Sequence, residues 1–436
     1  MIFLQSVHSA TRKIVDRIRR CPLLVLPLLW ALFSLLLVAL NAFPDRYVKQ
    51  SIQRGIDETM AEGDHPWLFF TSQSQIDNFT DRIMLQQSQR TSLWNSVTAV
   101  FAKKNEWDDL SGSAVSNPLF AAFSNQGYPR YWHGYTVILK PLLAIFDYTA
   151  IRMISFIMLL FLICLAFSKV CKEFGLLISF CFLMTLSTVN IFVVPMSLVF
   201  SPVFYILLLT IVKIDLFKNV NNRFLLFLVI GCLTNYFDFL TIPLVTLCIP
   251  LVFVSLYDFF DYKLEYYKRF SNVAVCGLGW LLGYASTWGM KWVLSSLVLG
   301  KNVVEDAIRN ILIRSDSGGI NEAKGQSFDR IETIKNNYTY MFENYPKRFV
   351  ALLIVFIVIL QIWKLYFHKY DFKRNLINSF PVLMIAFAPI VWYIALSNHS
   401  TIHMEFYAYK NVSITIFCML LYLILVLYPS SAKRES

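Results

Sequence analysis

The sequence predicts an all-α polytopic membrane protein of about ten transmembrane helices with a large first extracytoplasmic loop. Three observations predict it. The 436-residue chain is 57% hydrophobic and only 15% charged, with mean hydropathy +0.54, which is more apolar surface than a soluble core readily hides. Almost purely apolar windows of bilayer length recur along it. Lysine and arginine gather in short turns that fall on one side of the inferred membrane.

The first span, 22–42, follows Arg12, Lys13, Arg17, Arg19 and Arg20. A secretory signal also places basic residues before an apolar run. This run is too long for one and further spans follow, so it reads as a retained anchor with a cytoplasmic N-terminus, 1–21. The other spans are expected at 148–168, 174–195, 197–217, 224–237, 239–257, 272–294, 348–366, 377–396 and 411–428. Lys169 and Lys172, the stretches 213–223, 263–269 and 364–374, and Lys433 with Arg434 share the side of the N-terminus. Both chain ends are then cytoplasmic, with 429–436 as a tail. Two long polar stretches, 43–134 and 299–347, lie outside and cap a single membrane domain over 1–436.

Within the first loop, Ser51–Met60 and Arg82–Val100 pattern as amphipathic surface helices. Tyr135–Tyr148, interrupted by Lys140 and Pro141, is too short to span and reads as interfacial or re-entrant. Spans five and six share the run FLLFLVIGCLTNYFDFLTIPLVTL. Asn235 and Asp238 are costly at a bilayer centre, so the run reads as two short helices meeting outside, with NYFD at their tip.

A formal net charge of +11 would point to nucleic acid in a soluble protein. Here basic cytoplasmic turns account for it, and no nucleic-acid partner is expected. The eight cysteines lie in or beside apolar spans with no CxxC pair, which indicates neither a zinc site nor a disulfide framework. No P-loop, GxSxG, GxGxxG or HExxH motif points to nucleotide or zinc chemistry.

The polar residues with chemical potential cluster outside. Asp77 and Asp81, four apart in DNFTD, share a face if helical. Such a pair supplies a base or holds a divalent cation; the alternative is a plain helix start with Asp77 or Thr80 as N-cap. YPRYWHGY carries Arg130, Trp132 and His133 just before the membrane. Arginine suits phosphate and aromatic faces suit sugar rings, while an interfacial aromatic belt explains the rings equally well. SNHSTIHMEFYAYKN crowds Asn398, His399, His403, Glu405, Tyr407 and Lys410 into one turn. The histidines at a spacing of four lack a third metal ligand, so hydrogen bonding to phosphate or sugar, or an ordinary polar turn, is expected instead. Arg152, Lys291, Arg309 and Arg314 near outer ends or in the second loop would make an electropositive cavity together, or snorkel singly.

This layout resembles the GT-C superfamily of integral-membrane glycosyltransferases. Asp77 and Asp81 in DNFTDRIMLQQSQ look like the acidic pair that opens a helix in the first outer loop of that superfamily. LTNYFDFLTIPLVTL is similar to its paired short helices with a polar tip. YPRYWHGY, the proline-containing interfacial segment and NHSxxH look like a group of bacterial cell-surface polysaccharide membrane proteins. The acidic motif departs from the adjacent DD or DE of many members. The resemblance implies a polyprenyl-phosphate sugar donor on the outer face and a glycan or lipid-linked acceptor. It implies inverting transfer with Asp81 or Asp77 as general base. Arg130, Trp132, His133, Lys140, Arg152, Asp238, Lys291, Asn398, His399, His403, Tyr407 and Lys410 would contact substrate. A divalent cation is compatible but not required, and no metal ligands are expected.

Two rivals remain: a polysaccharide polymerase or ligase, and a lipid-linked oligosaccharide flippase. No internal repeat and few charges deep in several spans speak against transport. A multi-pass plasma-membrane setting is expected, with a bacterial cytoplasmic membrane favoured. The sequons at Asn78, Asn337, Asn398 and Asn411 fall on or near the outer side, where an endoplasmic reticulum would glycosylate them.

Overall fold

The computed structural model describes residues 21–89, 96–101, 129–315, 329–343, 351, 354–358 and 371–428. All regular elements among the described residues are helical. Among the described residues, six stretches are long and apolar enough to cross a membrane: Pro22–Ala42, Tyr148–Phe174, Val220–Phe237, Tyr266–Leu299, Phe372–Ala395 and Ala408–Val426. Three shorter apolar helices, Leu176–Thr188, Ser201–Val212 and Leu244–Phe260, stand at three further expected spans. The chain is an α-helical membrane protein. The expected span 348–366 lies mostly outside the described residues, as do nearly all of 1–21 and the tail 429–436.

The helices used below are α1 (Val25–Ala42), α2 (Lys49–Glu62), α3 (Asn78–Gln87), α4 (Ser96–Phe101), α5 (Thr136–Leu143), α6 (Tyr148–Phe174), α7 (Leu176–Thr188), α8 (Ser201–Val212), α9 (Val220–Phe237), α10 (Leu244–Phe260) and α11 (Tyr266–Leu299). They continue with α12 (Val303–Ser315), α13 (Arg330–Phe342), α14 (Phe372–Ile385), α15 (Ala388–Ala395), α16 (Ser397–Ile402) and α17 (Val412–Val426).

The turns that the charge pattern assigns to the cytoplasm meet at one end of the bundle. Lys169 pairs with Asp215 at 2.8 Å, Lys218 with Glu173 at 2.7 Å and Arg223 with Asp258 at 2.7 Å. Arg374 reaches the Tyr262 carbonyl. The opposite end, called the outer end below, gathers the first loop, the α9–α10 tip and the turn after α15.

Sequence expectation and structure differ in three places. The amphipathic stretch Arg82–Val100 is not one helix: α3 ends at Gln87, and α4 is a separate turn whose Ala99, Val100 and Phe101 are buried. Lys291 donates to the Val100 carbonyl at 3.0 Å, so α4 packs inside the fold rather than on a surface. The expected span 174–195 stops at Thr188. Asn190 is left-handed (φ 57°), and a 3-10 turn with Pro195 follows. The expected span 377–396 is divided at Ala386–Phe387, ahead of Pro389.

The tightest helix pair is α9 against α11. Gly231 on α9 faces the Trp280 carbonyl, while Gly279 and Gly283 on α11 face the Phe224 and Leu228 carbonyls. A methyl group at any of the three would collide with the neighbouring backbone. This small-xxx-small contact lets two apolar helices approach closely inside a bilayer.

Candidate active site

Asp77 and Asp81 sit four residues apart but do different things. Asp81 lies one turn into α3 and is fully buried. Its oxygens accept from the Tyr148 hydroxyl (2.6 Å), the Ser197 hydroxyl (3.2 Å), and the Leu198 (2.8 Å) and Val199 (3.0 Å) amides. A carboxylate has about four lone-pair directions, and all are used here. The side chain pins the turn between α7 and α8 onto α3, which is why the third expected span breaks where it does. Burial raises its pKa to about 6 against the pull of the Tyr148 hydroxyl.

Asp77 is the N-cap of α3 and accepts from the Thr80 amide at 2.9 Å and the Thr80 hydroxyl at 2.5 Å. The capping alternative is therefore observed, but in a buried setting. Its Oδ1 lies 3.7 Å from His65 Nδ1. Burial pushes the Asp77 carboxyl above its ordinary range, and the neighbouring His65 pulls the other way. The two residues meet because 66–76 folds back as a tight hairpin, with Ile76 N donating to Pro66 O and Leu68 N to Ser74 O. His65 and Asp77 stand at its two feet. Sequence reading missed His65, since the pairing depends on that fold-back.

The α9–α10 tip enters from another side. Asp238 accepts from the Thr241 amide (3.2 and 3.1 Å) and hydroxyl (2.6 Å), closing the turn that the sequence places outside. Leu240 takes the left-handed conformation (φ 64°), and its carbonyl accepts from His399 Nε2 at 2.9 Å. Burial raises Asp238 to about 6. Burial, with His403 and Arg314 adding to it, holds His399 well below the imidazole range. Burial and Arg314 lower His403 to about 3. Both rings are neutral at pH 7.

The His403 ring stacks on Tyr407 at 4.9 Å and lies 4.7 Å from His399. Tyr131 stacks on Phe239 at 5.1 Å. The charges of Asp77, Asp238 and Arg314 all bear on the Tyr407 hydroxyl. His65, Phe239, Arg314 and His403 keep part of their surface accessible, while Asp77, Tyr131, Asp238, His399 and Tyr407 form a buried floor. Arg314 comes from α12, which is held against α16 by the bond from Asn398 to the Ile313 carbonyl at 2.9 Å.

Other expected contact residues are engaged elsewhere. Arg130 pairs with Asp306. Trp132 is a core residue whose Nε1 donates to Thr287 O at 2.8 Å. His133 is the exception: held at φ 57°, it lies 3.1 Å through Nδ1 from the Tyr135 hydroxyl, and its ring stands 5.5 Å from Phe239 and 6.4 Å from Tyr131 of the cluster. Lys140 pairs with Asp45 at 2.7 Å, and Arg152 with Glu62 at 2.8 Å and with Asn78. Lys291 lies 4.4 Å from the Phe101 ring centre. Lys410 donates to Phe406 O and to the Tyr409 hydroxyl. Of the cations expected to build an electropositive cavity, Arg152 pairs with Glu62, Lys291 donates to the Val100 carbonyl and Arg309 is exposed on α12, while the charge of Arg314 bears on His399, His403 and Tyr407. Among the described residues no group of three or more His, Cys, Asp or Glu could hold a metal ion. All four sequon asparagines are buried, which leaves no room for attached glycans.

Beside the cluster runs an apolar groove of about 620 Å³ between α5, α6, α8 and α9. Met84, Tyr135 and Leu198 line its outer end, Met158 and Ile206 its middle, and Lys213 and Phe217 its inner end. Leu198 also donates to Asp81, and Tyr135 contacts His133. Comparison with family models, with curated proteins and with solved structures returns no match.

Proposed function

We propose that this chain is a membrane glycosyltransferase that moves a sugar from a polyprenyl-phosphate donor to a cell-surface glycan or lipid-linked acceptor. Transfer takes place at the outer end, with inversion. The observation that carries this reading is an apolar groove whose outer-end residue Tyr135 lies 6.1 Å, ring to ring, from Phe239 of the half-open polar cluster. The groove volume falls in the usual ligand range of about 300–1,000 Å³. Helix α8 alone gives the groove a depth of ~18 Å. That shape accepts a linear lipid chain and leaves its phosphate and sugar at the outer end.

Within the cluster, Asp77 is the better base. Asp81 has no lone pair left for an incoming proton, whereas the Asp77 carboxyl is raised toward working pH and faces the accessible His65. Arg314 is the nearest candidate to hold the leaving phosphate. Neutral His399, His403 and Tyr407 supply hydrogen bonds to sugar hydroxyls. The apolar lining of the groove speaks against flipping, since a sugar headgroup drawn along it would lose its hydration without gaining partners.

The test is a transfer assay with labelled polyprenyl-phosphate sugars and the purified protein in nanodiscs. Asp77→Asn should lose transfer by about 10²-fold or more while its melting profile is kept. Wild-type rates in both Asp77→Asn and His65→Ala would overturn the assignment of the base.

A further inference from the structure

We propose that the 66–76 hairpin is a membrane-surface anchor whose aromatic tip, Trp67, Phe69 and Phe70, inserts into the outer leaflet. The inference stands on geometry and does not depend on the proposed reaction. Segment 65–76 reads HPWLFFTSQSQI and contains no Asp, Glu, Lys or Arg. Phe70 is wholly exposed, and Trp67 and Phe69 keep 58% and 53% of their surface exposed.

The hairpin is stiff. Besides the ladder bonds already named, Phe69 N donates to Ser74 Oγ at 2.8 Å and Gln75 Nε2 to the His65 carbonyl at 3.0 Å. A stiff loop that holds three rings exposed has ordered them before any partner arrives.

The position of the hairpin identifies the partner. Its corner residue Gln73 donates to the Tyr340 carbonyl at 3.1 Å and the Glu343 carbonyl at 3.3 Å, and its own carbonyl accepts from the Tyr409 hydroxyl at 3.0 Å. Tyr409 is the second residue of the apolar stretch Ala408–Val426, and the foot residue His65 packs 4.4 Å from Phe406, just ahead of it. The last span is itself largely packed inside the bundle, and the hairpin is fastened beside its first residues, at the level where that span meets the membrane boundary, with its rings exposed there. An uncharged Trp-Leu-Phe-Phe tip at this depth matches the headgroup–acyl boundary, which aromatic side chains favour. Phenylalanine offers no polar edge to a sugar, so a glycan platform is the weaker match.

The experiment places a bimane label at Phe70→Cys in the full chain with Cys21 and Cys164 replaced by serine, in phosphatidylcholine nanodiscs. Phe70 makes no packing contact, so the label costs no core. In brominated phosphatidylcholine the emission should fall roughly two-fold, with little quenching by iodide, as expected for a tip buried ~5–10 Å into the boundary. Phe69→Cys should give the same pattern, and Trp67→Cys should lose its lipid quenching when Phe69 and Phe70 are both changed to Glu. Efficient quenching by iodide with none by brominated lipid at both label sites would overturn the proposal. So would a label shielded by soluble polysaccharide and indifferent to the lipid.

Discussion

Asp77 and Asp81 illustrate how little a shared helix face says about role. Both are buried, yet one keeps a histidine beside it and the other is consumed by four donors. Asp81→Asn should therefore unfold the outer end before it says anything about chemistry. An amide nitrogen would face the Leu198 or Val199 N–H, at a cost of roughly 2–3 kcal/mol, read as a lower melting temperature in detergent. Asp77→Asn retains an oxygen for the Thr80 amide and should melt close to wild type. Asp238 gives a pH signature. Its folded pKa is raised to about 6 from 3.8, so protonation favours the fold. Its contribution is complete below the unfolded value and is lost as pH rises through 6, by at most about 3 kcal/mol. Melting curves of wild type and Asp238→Asn from acid to neutral pH should diverge accordingly, with the wild type losing stability relative to the variant. A constant difference across that range would remove the effect.

At the scale of elements, the close packing of α9 on α11 rests on glycine rather than on apolar bulk. Gly283→Ala sets a methyl against the Leu228 carbonyl and must push the helices apart. The expected loss is roughly 1–3 kcal/mol, and Gly231→Ala should behave alike. Gly289→Ala, where the added methyl meets open space, is the control; equal melting for all three would show that the contact carries no weight. The sequence contains GWLLG at 279–283, yet periodicity alone does not reveal that a second glycine stands opposite on α9. The break after α7 was equally hidden: Asn190 and Pro195 permit it, but the Asp81 carboxylate on a distant helix fixes it.

For the molecule as a whole, the apolar groove approaches the outer polar cluster at Tyr135, whose ring lies 6.1 Å from that of Phe239. Filling the groove at Met158, a partly exposed lining residue, should separate tail binding from chemistry. With Met158→Trp, KM for a long-chain donor should rise about tenfold, equivalent to roughly 1.4 kcal/mol. The kcat should stay near wild type, and a short-chain soluble donor should be unaffected. Equal loss with both donors would place the lipid tail elsewhere.

Apolar run length already determined the helical class, because bilayer thickness acts on local sequence, and the placement of Lys and Arg set the expectation that NYFD stands at an outer tip. The capping role open to Asp77 was also legible, since a cap is made with a residue three positions away. Tertiary structure decided which charges are spent. Arg130, Lys140 and Arg152 found partners 176, 95 and 90 residues away, and a buried charge must be paired wherever its partner lies in the chain. His65 beside Asp77 and Arg314 beside His403 were decided the same way. Sequence showed where the polar motifs lie along the chain; only the folding of distant loops onto one another selected which of their residues stand together.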